Sequence, residues 1–157
     1  MEFKDLINGL AEKMGVGEDI EIDAENRCLL EFDNMGVVIQ GVDAAQAVVL
    51  LAPIGVPPPE NPTQLYRGLL EANYLFQGTS GATLSVEPEQ GGINLCRQLD
   101  ARALDVEGLM LALDAFLNTL AAWKTFIDGY RPDKTPDSAP VENEFPMPAL
   151  NDNFIRA

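Results

Sequence analysis

The stretch CLLEFDNMGVVIQGVDAAQAVVLL, residues 28–51, decides the fold class of this chain. Apolar residues alternate along 28–32, as in a half-buried strand, and the turn formers at 34–36 separate them from a second apolar segment at 37–39. The run 47–51 is continuously apolar, as expected of a central strand. Short turns between consecutive strands predict an antiparallel meander.

Helical periodicity flanks this meander on both sides. Apolar residues recur at steps of three and four from Phe3 to Met14, which predicts a first helix that ends at Gly15. A second helix is predicted from about Pro62 to Gln77, with Asn61 as its N-cap and proline at its first position.

A β-hairpin and a last helix complete the predicted order. Apolar residues alternate along 82–86 and 93–97, and Asp105 is the predicted N-cap of a helix that follows. The order is α-β-β-β-α-β-β-α. Antiparallel strands with helices packed on them predict an α+β sandwich with a twisted antiparallel sheet.

The length of 157 residues suits one domain with a real core. We expect that domain to span residues 1–130. Residues 131–157 hold five of the eleven prolines and only scattered apolar groups, so a flexible tail is expected there.

Charge and histidine content exclude several classes of function. The net charge of −15 disfavours contact with nucleic acid and with anionic membrane surfaces, and instead favours solubility or a partner with basic segments. The chain has no histidine, which removes Ser-His-Asp and Cys-His catalysis and most zinc sites. Cys28 and Cys96 form no CxxC pair and are interpreted as small buried residues, with no disulfide, in a reducing compartment.

Two segments that resemble chemical motifs have simpler interpretations. The acids between Glu18 and Glu25 lack the spacing and glycine of a calcium loop, and we interpret them as solvated charges that protect an edge strand. Residues 78–81, Gly-Thr-Ser-Gly, lack the lysine of a phosphate loop and are interpreted as a helix C-cap and turn. We therefore predict no catalytic, cofactor-binding or metal-binding residues, and a protein that is not an enzyme.

The N-terminal residues and the hydropathy of the chain predict a cytosolic protein. The first five residues include acids and no apolar run, so no signal peptide is expected. No segment is expected to reach the roughly 18 apolar residues of a membrane span.

The second helix is apolar on two faces and therefore needs two partners. One face is expected to pack on the sheet, and a second copy of the chain could cover the other. A proline-rich loop folded over the outer face is the alternative. The two predicted faces are Leu65, Leu69, Ala72 and Phe76, and Tyr66, Leu70 and Tyr74.

In the order and spacing of its short sequence motifs, the chain resembles the class I type III secretion chaperones, particularly the Tir-chaperone (CesT-like) family, over roughly residues 3 to 128. The proline-rich connection before the second helix and the long C-terminal segment depart from the family. The matching stretches are Leu10–Gly17, Glu25–Cys28, Asn61-Pro62, Leu69–Asn73 and the hairpin Gly81–Leu99 leading into Leu104-Asp105.

The resemblance implies a homodimer in which the second helix is prominent. It also implies a bacterial cytoplasmic chaperone that binds the N-terminal, non-globular segment of one or more secreted effectors. Part of that segment adds a strand and fills apolar grooves. A secretion ATPase, a further possible partner, would release the cargo.

Candidate residues follow from the resemblance. Candidates for effector binding are Leu6, Leu10, Met14, Ile20 and Ile22, with ordinary core packing as the other interpretation. Candidates for the dimer interface are Leu65, Tyr66, Leu69 and Phe76. The rival hypotheses are a YbjN-like regulatory or stabilising module of the same fold, and an enzyme working through paired carboxylates.

Overall fold

A computed structural model describes residues 2–16, 20–132 and 148 of the chain. The predicted order of helices and strands is confirmed, with two short 3₁₀ helices at Asp43–Ala45 and Tyr74–Phe76. The elements are α1 (Phe3–Met14), β1 (Arg27–Phe32), β2 (Met35–Val42), β3 (Ala47–Gly55), α2 (Thr63–Asn73), β4 (Thr83–Val86), β5 (Ile93–Asp100) and α3 (Val106–Gly129).

The strands form one five-stranded sheet in the order β1-β2-β3-β5-β4, so β1 and β4 are its edges. Antiparallel pairing joins β1 to β2 and β2 to β3, which confirms the predicted meander. With helices added to this sheet, the fold is the predicted α+β class. The chain divides into two compact units, and β3, β5 and α3 each contribute residues to both.

The first unit comprises Met1–Ala52 and Cys96–Leu117. Its core contains apolar residues of α1, of one face of the sheet and of the start of α3. At two glycines of this core, a neighbouring side chain packs so closely against the backbone that no Cβ would fit. A Cβ at Gly41 would lie 2.8 Å from Cγ of Phe3, and one at Gly9 would lie 2.6 Å from a methyl group of Val106. The largest buried residues of this core are Ile7, Leu10, Val37, Ile39, Leu50, Leu109 and Phe116.

The second unit comprises Pro53–Leu95 and Asn118–Ala157. Trp123 is fully buried, and its indole N–H donates a 2.8 Å hydrogen bond to the carbonyl oxygen of Gly78. That bond holds the turn after α2 against the second half of α3. The turn at residues 78–81 is therefore structural, as the sequence indicated.

The second helix is shorter than predicted. α2 ends at Asn73, because Leu75 and Phe76 adopt left-handed φ angles of 51° and 56° that interrupt the helical path. The chain then turns so that the N–H of Gly78 reaches the carbonyl of Ala72.

The predicted N-cap of the second helix is also corrected. Pro62, with helical φ and ψ, directly precedes α2, and no side chain caps the helix there. Asn61 instead has a positive φ of 50°, which places it in the turn before the helix.

Helix α3 passes the length and composition test for a membrane span, contrary to the expectation from the sequence. Of its most apolar 18-residue stretch, 44% is buried inside the protein. Core helices of soluble proteins pass the same test, and the buried residues Leu109, Phe116, Leu120 and Trp123 suit that interpretation. The expected tail, residues 131–157, lies outside the described residues apart from Arg131, Pro132 and Pro148.

We predict that Trp123→Phe lowers the free energy of unfolding by about 1–3 kcal/mol, because the Gly78 carbonyl loses its donor and a small cavity remains. Leu111→Ala on the same helix is the control, since Leu111 is 65% exposed and should matter by less than about 0.5 kcal/mol. The free energies of unfolding of both variants are measured by urea titration with circular dichroism as the signal, at one protein concentration. Equal effects of the two variants would contradict the role given to Trp123.

The two cysteines should differ in thiol reactivity. Cys28 is 2% exposed, and burial raises its pKa to about 11, whereas Cys96 is half-buried with its pKa raised by the same cause. Because the thiolate is the reactive form, native Cys28 should react more slowly than Cys96 with a maleimide at pH 8. The Cys96→Ser and Cys28→Ser variants report each thiol separately, and the rates should converge in urea. Faster labelling of native Cys28 would contradict its placement in the core.

Candidate partner-binding surfaces

The β4 edge of the sheet is closed by a side chain. The amide group of Asn73 donates a 3.0 Å hydrogen bond to the carbonyl oxygen of Leu84. Its oxygen accepts a 2.8 Å hydrogen bond from the N–H of the same residue. The side chain thus takes the place of a neighbouring strand at the middle of this four-residue edge.

The β1 edge is closed at one end only. The N–H of Asp23 donates to the carbonyl of Arg27 at 2.9 Å, and the N–H of Arg27 donates to Oδ1 of Asp23 at 2.9 Å. The backbone groups of Arg27 therefore face away from β2. By the two-residue period of a strand, those of Leu29 and Glu31 face the same way. No hydrogen bond from the described residues reaches them, so the edge is open there.

An apolar row on the outer face of the sheet begins at this open edge. Leu29 pairs with Val38, and Val38 pairs with Leu51, so the three side chains lie side by side on one face. Leu29 is 68% exposed and Leu51 is 38% exposed. They line an open groove of about 480 Å³, together with Glu21, Asp23, Arg27, Cys28, Val38 and Gln40.

Acids predominate around the groove. Residues 20–34 contain five acids and a single base, Arg27. That guanidinium is already paired with Asp23 at 2.9 Å and with Glu25 at 2.5 Å. Hydrogen bonds from the Arg27 backbone N–H, and then from its guanidinium, lower the pKa of Asp23. With five acids against one base, the rim is anionic. β1 is an edge strand, as the acidic cluster suggested.

A second apolar surface lies on α2 and the 3₁₀ helix that follows it; we call it the α2 surface. Four of its side chains are more than half exposed: Leu70, Tyr74, Leu75 and Phe76. Tyr66 is half-buried at its margin. The opposite face of α2 is buried, so the predicted two-faced helix is present. The proline-rich loop does not cover the outer face, because Leu70 remains 71% exposed.

The predicted site residues divide between core and surface. Leu6, Leu10, Leu65 and Leu69 are buried, whereas Met14, Ile20, Ile22 and Tyr66 are half-buried and Phe76 is exposed. The kink at Leu75 removes Phe76 from the buried face on which helical spacing had placed it. The assignments of these residues to effector binding and to dimerisation remain predictions.

Sequence reasoning missed Leu29, Val38 and Leu51 as a surface. A signal was present, because a half-buried strand should carry polar residues at alternate positions, yet Leu29 and Leu51 occupy outward positions. The pairing that brings the three together depends on strand register, which alternation alone does not specify.

The described residues offer little for catalysis or metal binding. Within residues 2–16, 20–132 and 148, no three His, Cys, Asp or Glu residues are grouped to hold a metal ion. A cavity of about 340 Å³ lies beside the start of α1, and its walls mix apolar side chains such as Phe3 and Leu6 with exposed polar ones.

Solved structures of similar fold include chaperones in complex with their partners. The HopA1–SchA chaperone–effector complex matches with a TM-score of 0.66 and 16% identity, over 78% of this chain and 93% of that chain. The Yersinia pestis type III secretion chaperone SycH, in complex with a stable fragment of YscM2, matches with a TM-score of 0.61 and 16% identity, over 76% and 98%.

The YbjN comparison is weaker. YbjN of E. coli, a putative transcription regulator, matches with a TM-score of 0.52 and 11% identity, over 76% of this chain and 87% of that chain. No curated protein sequence matches the chain.

The family comparison is decisive, because it covers most of the domain. The model of the Tir chaperone protein (CesT) family matches residues 5–124, a range that begins in α1 and ends in α3. The family that matches is one of chaperones. This chain belongs to the Tir chaperone protein (CesT) family.

Proposed function

We propose that this chain is a type III secretion chaperone that holds the N-terminal, non-globular segment of an effector along β1 and across the outer face of the sheet. One observation carries the proposal. The open backbone edge at Leu29 and Glu31 borders the apolar row of Leu29, Val38 and Leu51, in which Leu29 and Leu51 are exposed and Val38 is half-buried. Family membership and the chaperone complexes of similar fold supply the class of function.

The physical basis of binding is strand addition combined with burial of apolar side chains. A cargo strand beside β1 would satisfy the outward N–H and C=O groups of Leu29 and Glu31. Every second side chain of that strand would then lie on the outer face, and one of them would lie next to Leu29. A segment without its own fold loses entropy on ordering, so its affinity stays moderate and its release remains feasible.

The α2 surface is the proposed dimer interface. Apolar side chains are presented to solvent here by Leu70, Tyr74, Leu75 and Phe76. A second copy meeting this surface would remove them from water at a gain of about 25 cal/mol per Å² of apolar area. Of the residues predicted for the interface, Tyr66 and Phe76 can contact a partner directly, whereas Leu65 and Leu69 would support α2 from within.

The remaining parts of the proposal concern location and release. We place the protein in the bacterial cytoplasm, as is typical of the family, before its cargo is exported. Release of the cargo is assigned to a secretion ATPase. The YbjN-like hypothesis gives the chain the same fold but no secreted partner. The structural match to YbjN is weaker than the matches to the chaperones.

We predict that Leu70→Asp converts a dimer into a monomer, because a carboxylate would be buried without a partner in the proposed interface. The matched control is Leu111→Asp, since Leu70 and Leu111 are 71% and 65% exposed on helices. Analytical ultracentrifugation measures the mass of each variant. A dimer that survives Leu70→Asp, or one that Leu111→Asp disrupts, would contradict the assignment of the α2 surface.

Affinity capture from the native host with secretion induced tests the cargo. We expect it to capture a secreted protein whose N-terminal segment alone is sufficient for binding. Glu31→Pro should abolish capture, because proline removes the outward N–H while β1 keeps its bonds to β2. Glu31→Ala keeps that N–H and should lower capture much less.

Circular dichroism first confirms that both Glu31 variants fold. Capture of cytosolic housekeeping proteins alone, or of nothing by a folded dimer, would favour the YbjN-like hypothesis. Equal capture by Glu31→Pro and wild type would contradict the proposal that the cargo adds as a strand to the β1 edge.

A further inference from the structure

Glu31 lies at the open edge without a counterion. It is exposed, and no described residue forms an ion pair with it. Arg27, four residues earlier on the same face of β1, is already neutralised by Asp23 and Glu25. Of the two charged residues that flank Leu29, Arg27 is already paired, whereas the Glu31 carboxylate is available to pair with a residue of a binding partner.

No cation faces Glu31 from the neighbouring strand β2. Its partner on β2 is Gly36, which has no side chain. The side chain of Leu29 lies beside this glycine, with its Cδ1 3.6 Å from where a Cβ of residue 36 would stand, an ordinary contact distance. The free side of the Glu31 carboxylate is thus the open edge of the sheet.

The register of an added strand follows from which backbone groups are open. Asp23 already occupies the edge at Arg27, so a new strand can pair at Leu29 and Glu31 but not at Arg27. Directly opposed residues on one face have Cβ atoms about 4.5–5.5 Å apart, close enough for their side chains to touch. The cargo residue opposite Leu29 therefore meets an apolar side chain, and the residue opposite Glu31 meets a carboxylate.

We propose that Glu31 is a specificity residue, which selects a cargo strand that carries Lys or Arg two positions from the apolar residue seated beside Leu29. The inference rests on the proposed function, because it takes the β1 edge as the cargo site. Asp33, in the turn after β1, adds a second acid at the same end. The stem of a Lys or Arg can cover apolar surface while its charged end reaches the carboxylate.

A phage-displayed library of random peptides of about ten residues, long enough for one strand, tests the proposal on the full chain. Wild type should enrich peptides with an apolar residue and a Lys or Arg two positions apart. Glu31→Gln should keep the apolar residue and lose the basic preference. Glu31→Lys should enrich Asp or Glu at that position instead.

The control for overall charge is Glu12→Lys, which changes the net charge equally at an exposed position of α1. It should leave the wild-type preference unchanged. For an enriched Lys peptide and its Lys→Glu counterpart, wild type should prefer Lys by roughly three- to tenfold in Kd, and Glu31→Lys should reverse that order.

The outcomes separate this inference from the proposed function. An apolar preference that persists without a basic residue at the second position, or a basic preference unchanged by Glu31→Lys, would overturn the role of Glu31 alone. No enrichment of apolar peptides, or the same peptides on Leu29→Asp as on wild type, would overturn the β1 edge as the cargo site.

Discussion

The antiparallel register of β1, β2 and β3 is the constraint on which the other features depend. Because side chains alternate with a period of two, this pairing places Cys28, Ile39 and Leu50 together on the buried face. It places Leu29, Val38 and Leu51 together on the outer face. A slip of one residue in one strand would exchange its two sets, exposing core residues and burying the apolar row. The core and the candidate binding surface are thus two consequences of one register.

The two sheet edges show how the protein directs where another chain can add. An open edge is a general aggregation hazard, and Asn73 removes it at β4 by bonding both backbone groups of Leu84. Asp23 does the same at the start of β1, bonding both backbone groups of Arg27. On β1, the backbone groups of Leu29 and Glu31 have no hydrogen-bond partner among the described residues. The anionic surroundings of these groups discourage other acidic chains while leaving room for a segment with basic residues.

The kink after α2 links local backbone geometry to the second apolar surface. Left-handed φ angles at two large non-glycine residues, Leu75 and Phe76, are energetically unfavourable and need support from their surroundings. That support comes from the turn that follows, where the Gly78 carbonyl accepts the hydrogen bond of the buried Trp123. The kink leaves Phe76 exposed, as Leu70 and Tyr74 are, which adds to the apolar area that α2 and the following 3₁₀ helix present to solvent.

The sequence by itself determined the order of the elements, the α+β class, the two-faced second helix and the family, because these follow from periodicity, turn residues and motif order. It also pointed to the core, since Leu10 and Leu50 lie at helical and strand spacings. Only the tertiary structure decided which apolar residues reach solvent. Helical spacing places Leu65 and Phe76 on one face of the second helix, yet Leu65 is buried in α2 whereas the kink at Leu75 leaves Phe76 exposed. Leu29 becomes part of a site only when register brings Val38 and Leu51 beside it, because that pairing depends on contacts between residues distant in the chain.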